Sequence, residues 1–347
     1  MTDTHPKPVL GIIGGSGLYD IDGLENVRWE KISSPWGEPS DELLFGSLGG
    51  TELVFLPRHG RGHRFSPSSI NYRANIDVLK RAGVTDIVSL SAVGSFHEHL
   101  APGTFVIVDQ FIDRTFAREK SFFGTGMVAH VSMAHPVNAR LGDWCEAACQ
   151  TADIPMQRGG TYLVMEGPQF STLAESNLYR EWGCDVIGMT NMPEAKLARE
   201  AEIPYCTVAM VTDYDCWHPD HDNVEVDAII QVLLNNAERA RQLVRAVANK
   251  IPKRPAICPS GDDEALQAAL ITHVEARDPA TTISITKRAE STPPVRAVRW
   301  GPRRGVIPKP VAAIPSNVPI PHTAFSRVLV QRSMENTAPP YGSSTAS

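Results

Sequence analysis

Val9-Leu10-Gly11-Ile12-Ile13-Gly14-Gly15-Ser16-Gly17 is the stretch on which the fold turns, because a short branched apolar run passes straight into a glycine-rich turn. Such a run, bounded by a turn signal, reads as a strand buried on both faces. The pattern recurs at Leu53–Leu56, Ile87–Leu90, Phe105–Val108, Thr161–Met165, Val186–Met189 and Tyr205–Thr212. Helical patterns lie between these runs as far as about residue 250. The clearest spans Val226 to about Val247, where Ile229, Ile230, Leu233, Ala237, Ala240, Val244 and Val247 recur mostly at spacings of three and four. Strands alternating with helices give an α/β fold. The expectation is a single large domain with a mixed, mostly parallel central sheet flanked by helices.

The 347 residues are 42% hydrophobic and 21% charged, which suits a soluble globular chain and excludes a wholly disordered, collagenous or multi-span membrane protein. The net charge of −6 offers no basic field for nucleic acid or an anionic membrane surface, so a small-molecule partner is expected. Val9 to Leu18 is too short and too glycine-rich for a bilayer span and lacks the basic flank of an export signal, which points to a cytoplasmic protein. Six cysteines without a CxxC pair read as reduced packing residues. Beyond Ile251 the composition changes. Residues 291–347 hold ten of the 27 prolines and seven Lys/Arg against one acid, Glu335, with no core-forming period. The expected division is 1–255 as the main domain, 256–290 as a C-terminal helical extension with a last helix near Asp262–His273, and 291–347 as a disordered tail.

Several of the strands end on residues with chemical potential. Gly14-Gly15-Ser16-Gly17 reads either as a plain tight turn or as a seat where backbone N–H groups and a hydroxyl meet an anion. The third glycine of a dinucleotide fingerprint is missing, since Asp20 stands there, and no Walker lysine follows. Arg58-His59-Gly60-Arg61-Gly62-His63 places Arg and His donors after the next strand, either for an anion or as a solvated basic loop. Ser91-Ala92-Val93-Gly94-Ser95 reads as a third turn of this kind. Asp213 and Asp215, alternate residues at the end of an apolar run, are expected to face one way and present two carboxylates. A metal pair is the rival reading, but no third ligand stands at a recognised spacing, and no metal is expected. Glu166 and Phe170, with Ile187, Met189 and Thr190, add an acid, apolar faces and a hydroxyl at two more strand ends. Together these would suit a pocket for a phosphate, a sugar and a flat nitrogen base.

The motifs GIIGGSGLYD (11–20), PRHGRGHRFSPSSINYRAN (57–75), DQFIDRT (109–115), MEGPQF (165–170), GMTNMPEAKLARE (188–200) and VTDYDCW (211–217) stand in one order across residues 9 to 250. In them the sequence resembles the S-methyl-5′-thioadenosine phosphorylases of the trimeric purine nucleoside phosphorylase superfamily. The resemblance implies phosphorolysis of S-methyl-5′-thioadenosine to adenine and 5-methylthioribose 1-phosphate, with inorganic phosphate as co-substrate and no cofactor. The alternative is a phosphorylase of broader or 6-oxopurine specificity, in which relatives tend to carry an amide where Asp213 stands. Carried over by position, the resemblance implies phosphate contacts from Ser16, Arg58, His59, Ser91, the Ala92 backbone and Thr190. It implies Met189 under the ribose, Phe170 and Ile187 against the base, and Asp213 and Asp215 at its N7 and 6-amino edge, with Asp213 as general acid. Val226 and Ile229 would line the 5′ side, and His130 would enter from a neighbouring subunit of a homotrimer or homohexamer.

Overall fold

The computed structural model describes residues 8–15, 17–219, 226–251 and 258–278, with the backbone alone for 226–230. The 291–347 tail and all of 279–290 therefore lie outside the described residues. Eleven strands form one sheet. In chain order they are β1 (Val9–Gly14), β2 (Glu25–Glu30), β3 (Leu43–Leu48), β4 (Thr51–Pro57), β5 (Asp86–Ser95), β6 (Phe105–Ile107), β7 (Gln110–Asp113), β8 (Met156–Arg158), β9 (Thr161–Val164), β10 (Val186–Gly188) and β11 (Tyr205–Asp213). The helices are α1 (Tyr72–Arg81), α2 (Ala139–Thr151), α3 (Leu173–Glu181), α4 (Asn191–Glu200) and α5 (Val226–Lys250). All of them fall within one compact unit.

β1 pairs in parallel with β4 and β5, β5 in parallel with β11, β9 in parallel with β7 and β10, and β6 in parallel with β8. Among the described strands, β2–β3, β3–β4, β5–β10 and β6–β11 pair antiparallel. The sheet is thus mixed and mostly parallel, as its apolar strands imply. Strand alternation splits the core into two layers. Ile13, Val54, Leu56 and Ile87 pack with Ile76 and Leu79 of α1 and Ala195 and Leu197 of α4. On the other face Leu10, Ile12, Phe55, Val88 and Val208 pack with Leu141 and Cys145 of α2 and Ala240, Leu243, Val244 and Val247 of α5. Full burial of each such Leu or Val contributes about 1.5–3 kcal/mol, and this supplies most of what holds the helices in place.

Local signals set the helix ends. Asn71 accepts from the Ala74 N–H ahead of α1, and Asn138 from the Leu141 N–H ahead of α2. Two sequence expectations are corrected here. β5 does not end near Leu90 but continues through Ser95, because β11 and then β10 pair with its second half, so Ser91–Ser95 is strand rather than turn. Asp262–His273 is not an α-helix. Only single 3-10 turns form, at Asp262–Glu264 and Val274–Ala276, and an isolated bridge pairs Leu270 with Ala129. Of the apolar residues expected to form a stripe there, Leu266 and Ala269 are nonetheless buried and Leu270 is half-buried. All six cysteines are free.

Candidate active site

The ends of β1, β4, β5, β10 and β11 bring together two groups of polar side chains. At one of them Arg58, just after β4, is almost completely buried. Its Nε donates to Glu194 Oε2 at 2.9 Å and its Nη2 to Glu194 Oε1 at 3.2 Å and to Ser89 Oγ at 2.6 Å, while Nη1 donates to the Leu90 carbonyl at 2.9 Å. Glu194 also accepts from Ser89 Oγ at 2.6 Å and the Tyr205 hydroxyl at 2.8 Å. Burial alone would lower the Arg58 pKa, but the Glu194 carboxylate overrides it and raises the value. A guanidinium has five N–H groups, and these four bonds leave Nη1 one more to donate.

His59 follows on the same loop. Its Nδ1 lies 2.8 Å from the Phe65 carbonyl, and its ring stacks on His63 at 4.2 Å. Burial pushes its pKa down to about 4, so the ring is neutral near pH 7. A neutral ring facing a carbonyl carries its proton on Nδ1, which leaves Nε2 as an acceptor, suited to a protonated phosphate oxygen. Ser91 Oγ lies 3.1 Å from the Tyr162 hydroxyl and 3.3 Å from Thr190 Oγ1. Thr190 sits at the N-terminus of α4 without capping it, so its hydroxyl faces this cluster instead. Ala92 is exposed on an otherwise buried stretch of β5. Gly14 accepts the Arg58 N–H at 2.9 Å, which ties the glycine turn to this loop; Ser16 itself lies outside the described residues.

Glu194, Ser89 and Tyr205 were not singled out from the sequence, and neither were two further partners, Tyr162 and Arg241. Tyr162 is fully buried, burial pushes its phenol up to about 12, and its hydroxyl fits only because residue 188 is glycine, where a Cβ would sit 2.0 Å from it. Arg241 of α5 donates to the Gly17 carbonyl at 2.6 Å. Neither carries a local motif: a lone Tyr in a strand and an Arg on an amphipathic helix look like packing and solvation.

The second group closes around β11. The structure does bring Asp213 and Asp215 together, but not by strand alternation. A bulge shifts the β5–β11 register between Val211 and Asp213, and Asp215 adopts φ 54°, so its N–H turns back to Asp213 Oδ1 at 2.8 Å. Thr212 Oγ1 donates to Asp213 Oδ2 at 2.7 Å. Ser171 Oγ lies 3.2 Å from both oxygens of Asp215, and burial raises the Asp215 pKa. Gly94 stands opposite, where any Cβ would lie 2.9 Å from Asp213 Oδ1. Ile187 is buried beneath, Met189 is half-buried, and Phe170 is 81% exposed on the loop before α3. Glu166 is spent on structure: its carboxylate accepts from Ser68 and from the N–H groups of Phe116 (2.6 Å) and Ala117 (3.3 Å).

His130 is exposed on the segment bridged to Leu270, with its N–H on the Ala269 carbonyl at 2.8 Å. The side chains of Val226 and Ile229 lie outside the described residues. Among the described residues no three His, Cys, Asp or Glu side chains are grouped so as to hold a metal ion, and no helix is long and apolar enough to cross a membrane.

Residues 9–249 match the family model described as the phosphorylase superfamily. An S-methyl-5′-thioadenosine phosphorylase of Rhodospirillum rubrum is 67% identical over 279 residues, which is 80% of this chain and 95% of that protein. One of Geobacter sulfurreducens is 55% identical over 80% of this chain and 96% of its own. The crystal structure of a methylthioadenosine phosphorylase from an antarctic soil metagenomic library superposes with a TM-score of 0.75 at 48% identity, covering 83% of this chain and 99% of that one. Fold, motif order and relatives agree, and the chain belongs to the phosphorylase superfamily, among the S-methyl-5′-thioadenosine phosphorylases.

Proposed function

We propose that the chain catalyses phosphorolysis of S-methyl-5′-thioadenosine, with inorganic phosphate as co-substrate and no cofactor. The observation that carries this reading is the pairing of the two groups just described. A cluster of Arg58, His59, Ser91 and Thr190 suits an oxyanion, to which the sequence would add Ser16, and an Asp pair suits the edge of a base. In the reaction a phosphate oxygen attacks C1′ as the C1′–N9 bond breaks. The bonding electrons pass to the purine, and Asp213 supplies a proton at N7. Positive charge developing on the sugar is stabilised by the adjacent phosphate, and holding that phosphate against C1′ supplies the proximity advantage. Asp215 accepts from the 6-amino group, a preference for adenine that a neutral amide would not enforce. Met189 packs under the ribose, and Phe170 and Ile187 flank the base.

The 5′ substituent is taken by Val226 and Ile229, with His130 of a neighbouring copy closing the pocket. Val128, Ile271 and Val274 are exposed apolar residues close in sequence to the Ala129–Leu270 bridge, and they support a subunit contact there. The proposal extends, on the resemblance, to a cytoplasmic homotrimer or homohexamer built from a 1–255 domain and a 256–290 extension. The test is a panel of methylthioadenosine, adenosine, methylthioinosine and inosine, each with and without phosphate, alongside the solution mass. Release of adenine from methylthioadenosine only with phosphate, by an oligomer, is the expected result. Preference for the inosine compounds would contradict the base assignment.

A further inference from the structure

Arg118 lies just beyond the 109–115 motif, and no role has been assigned to it so far. Its side chain is 1% exposed. Nη1 donates to the carbonyls of Met189 at 2.6 Å and Met192 at 2.7 Å and to the Tyr72 hydroxyl at 3.2 Å. Nη2 donates to the carbonyls of Glu166 at 2.6 Å and Met165 at 3.4 Å, and Nε lies 3.3 Å from Glu166 Oε1. One guanidinium thus spans the segment after β10, which carries Met189 and Thr190, and the segment after β9, which leads to Phe170. A planar fork with fixed donor directions sets a distance between two backbones in a way that a flexible ammonium does not. The Glu166 carboxylate holds the near side of that fork and fastens it to Ser68 and to the N–H groups of Phe116 and Ala117.

We propose that Arg118 is a positioning residue for the reaction: it fixes the separation between the loop at the sugar and phosphate and the loop at the base. This rests on the function proposed above, in which Met189, Thr190 and Phe170 touch the substrates. Arg118 touches neither substrate and acts through the carbonyls it holds. A cleft of about 280 Å3 is lined by Trp36, Ser68, Tyr72, Arg73 and Arg118 among others, so the space vacated in Arg118→Ala would adjoin a cavity open to small solutes.

The experiment is steady-state kinetics of Arg118→Ala in the full-length chain, with methylthioadenosine and phosphate varied separately. It is repeated with low millimolar guanidinium and with sodium chloride at equal ionic strength. Loss of alignment is expected to lower kcat/KM for the nucleoside by about 100-fold, and guanidinium, but not sodium, should restore activity several-fold and saturably. A folded variant with wild-type constants, or one whose loss guanidinium leaves untouched, would overturn the role. Should Arg118→Ala fail to fold, Arg118→Lys serves instead. Its ammonium can keep the Met189 and Met192 carbonyls but cannot also reach Glu166. Nucleoside KM should therefore rise about tenfold, and phosphate KM should change by no more than about twofold, a split expected if only the base loop is released. Equal changes in both constants, or none, would overturn the proposal. A wild type that cleaves nothing overturns the proposed reaction and this role with it, whereas an active wild type with a failed rescue overturns the role alone.

Discussion

Arg58 and Glu194 are buried as a pair, and each is costly without the other. Removing one partner of a buried ion pair leaves an uncompensated charge, which typically destabilises by about 3–5 kcal/mol. Arg58→Ala should therefore lose stability of this order as well as phosphate affinity, and Arg58→Ala/Glu194→Ala should recover part of that stability without recovering affinity. Urea melts of the three proteins check this, and a single variant as stable as the wild type would contradict the geometry. At the base, Asp213→Asn keeps the volume but removes the group proposed to protonate N7. Methylthioadenosine turnover should fall by about two orders of magnitude, the usual scale for a lost general acid, and an intact rate would refute the assignment. His59 has a pKa held down to about 4 by burial, against about 6.5 in an unfolded chain. Between these values the unfolded chain binds the extra proton more readily, so His59 takes stability away as pH falls from 6.5 towards 4. The raised pKa of Asp215 acts in the opposite sense, favouring the fold when its carboxyl is protonated and losing that contribution as pH rises. His59→Gln should flatten the drop in urea midpoint between about pH 6.5 and 4.5, and an unchanged slope would contradict a buried neutral ring.

The elements that carry the site differ in how far the sequence exposes them. β1, β4, β9 and β11 are branched apolar runs, and buried parallel strands leave that signature because both faces are covered. β2, Glu25–Glu30, and β7, Gln110–Asp113, escape such a reading because each is polar or half-exposed. The second half of β5 looks like a turn because Ser91, Gly94 and Ser95 are turn formers. Gly94 stands there for a tertiary reason, the close approach of the Asp213–Asp215 bend, which no local pattern encodes. The Asp pair itself was visible in the sequence, whereas the bulge that aims it was not. The α3 helix follows Phe170 directly and is held by a capping box, with Thr172 N–H on Glu175 Oε2 at 2.8 Å and Glu175 N–H on Thr172 Oγ1 at 3.2 Å. Thr172→Ala should cost about 1 kcal/mol, as caps generally do, read as a lower urea midpoint. No change at all would mean that the box contributes nothing to the fold.

On the scale of the whole molecule, one sheet gathers its reactive groups at the ends of strands whose other residues are buried. The polar atoms that must be precise are backed by a second set that is wholly internal: Glu194 behind Arg58, Tyr162 beside Ser91 and Thr190, and Arg118 behind Met189. Such internal support holds donors still while charge develops on the substrate, so less reorganisation is needed at the moment of reaction. In the proposed reaction phosphate, and not water, takes the sugar. Its most direct measurement is phosphorus NMR of the purified protein with methylthioadenosine and inorganic phosphate, with adenine followed in the same sample. A sugar 1-phosphate resonance should grow mole for mole with free adenine, and no adenine should form when phosphate is left out. Adenine released without that resonance would contradict the proposed reaction.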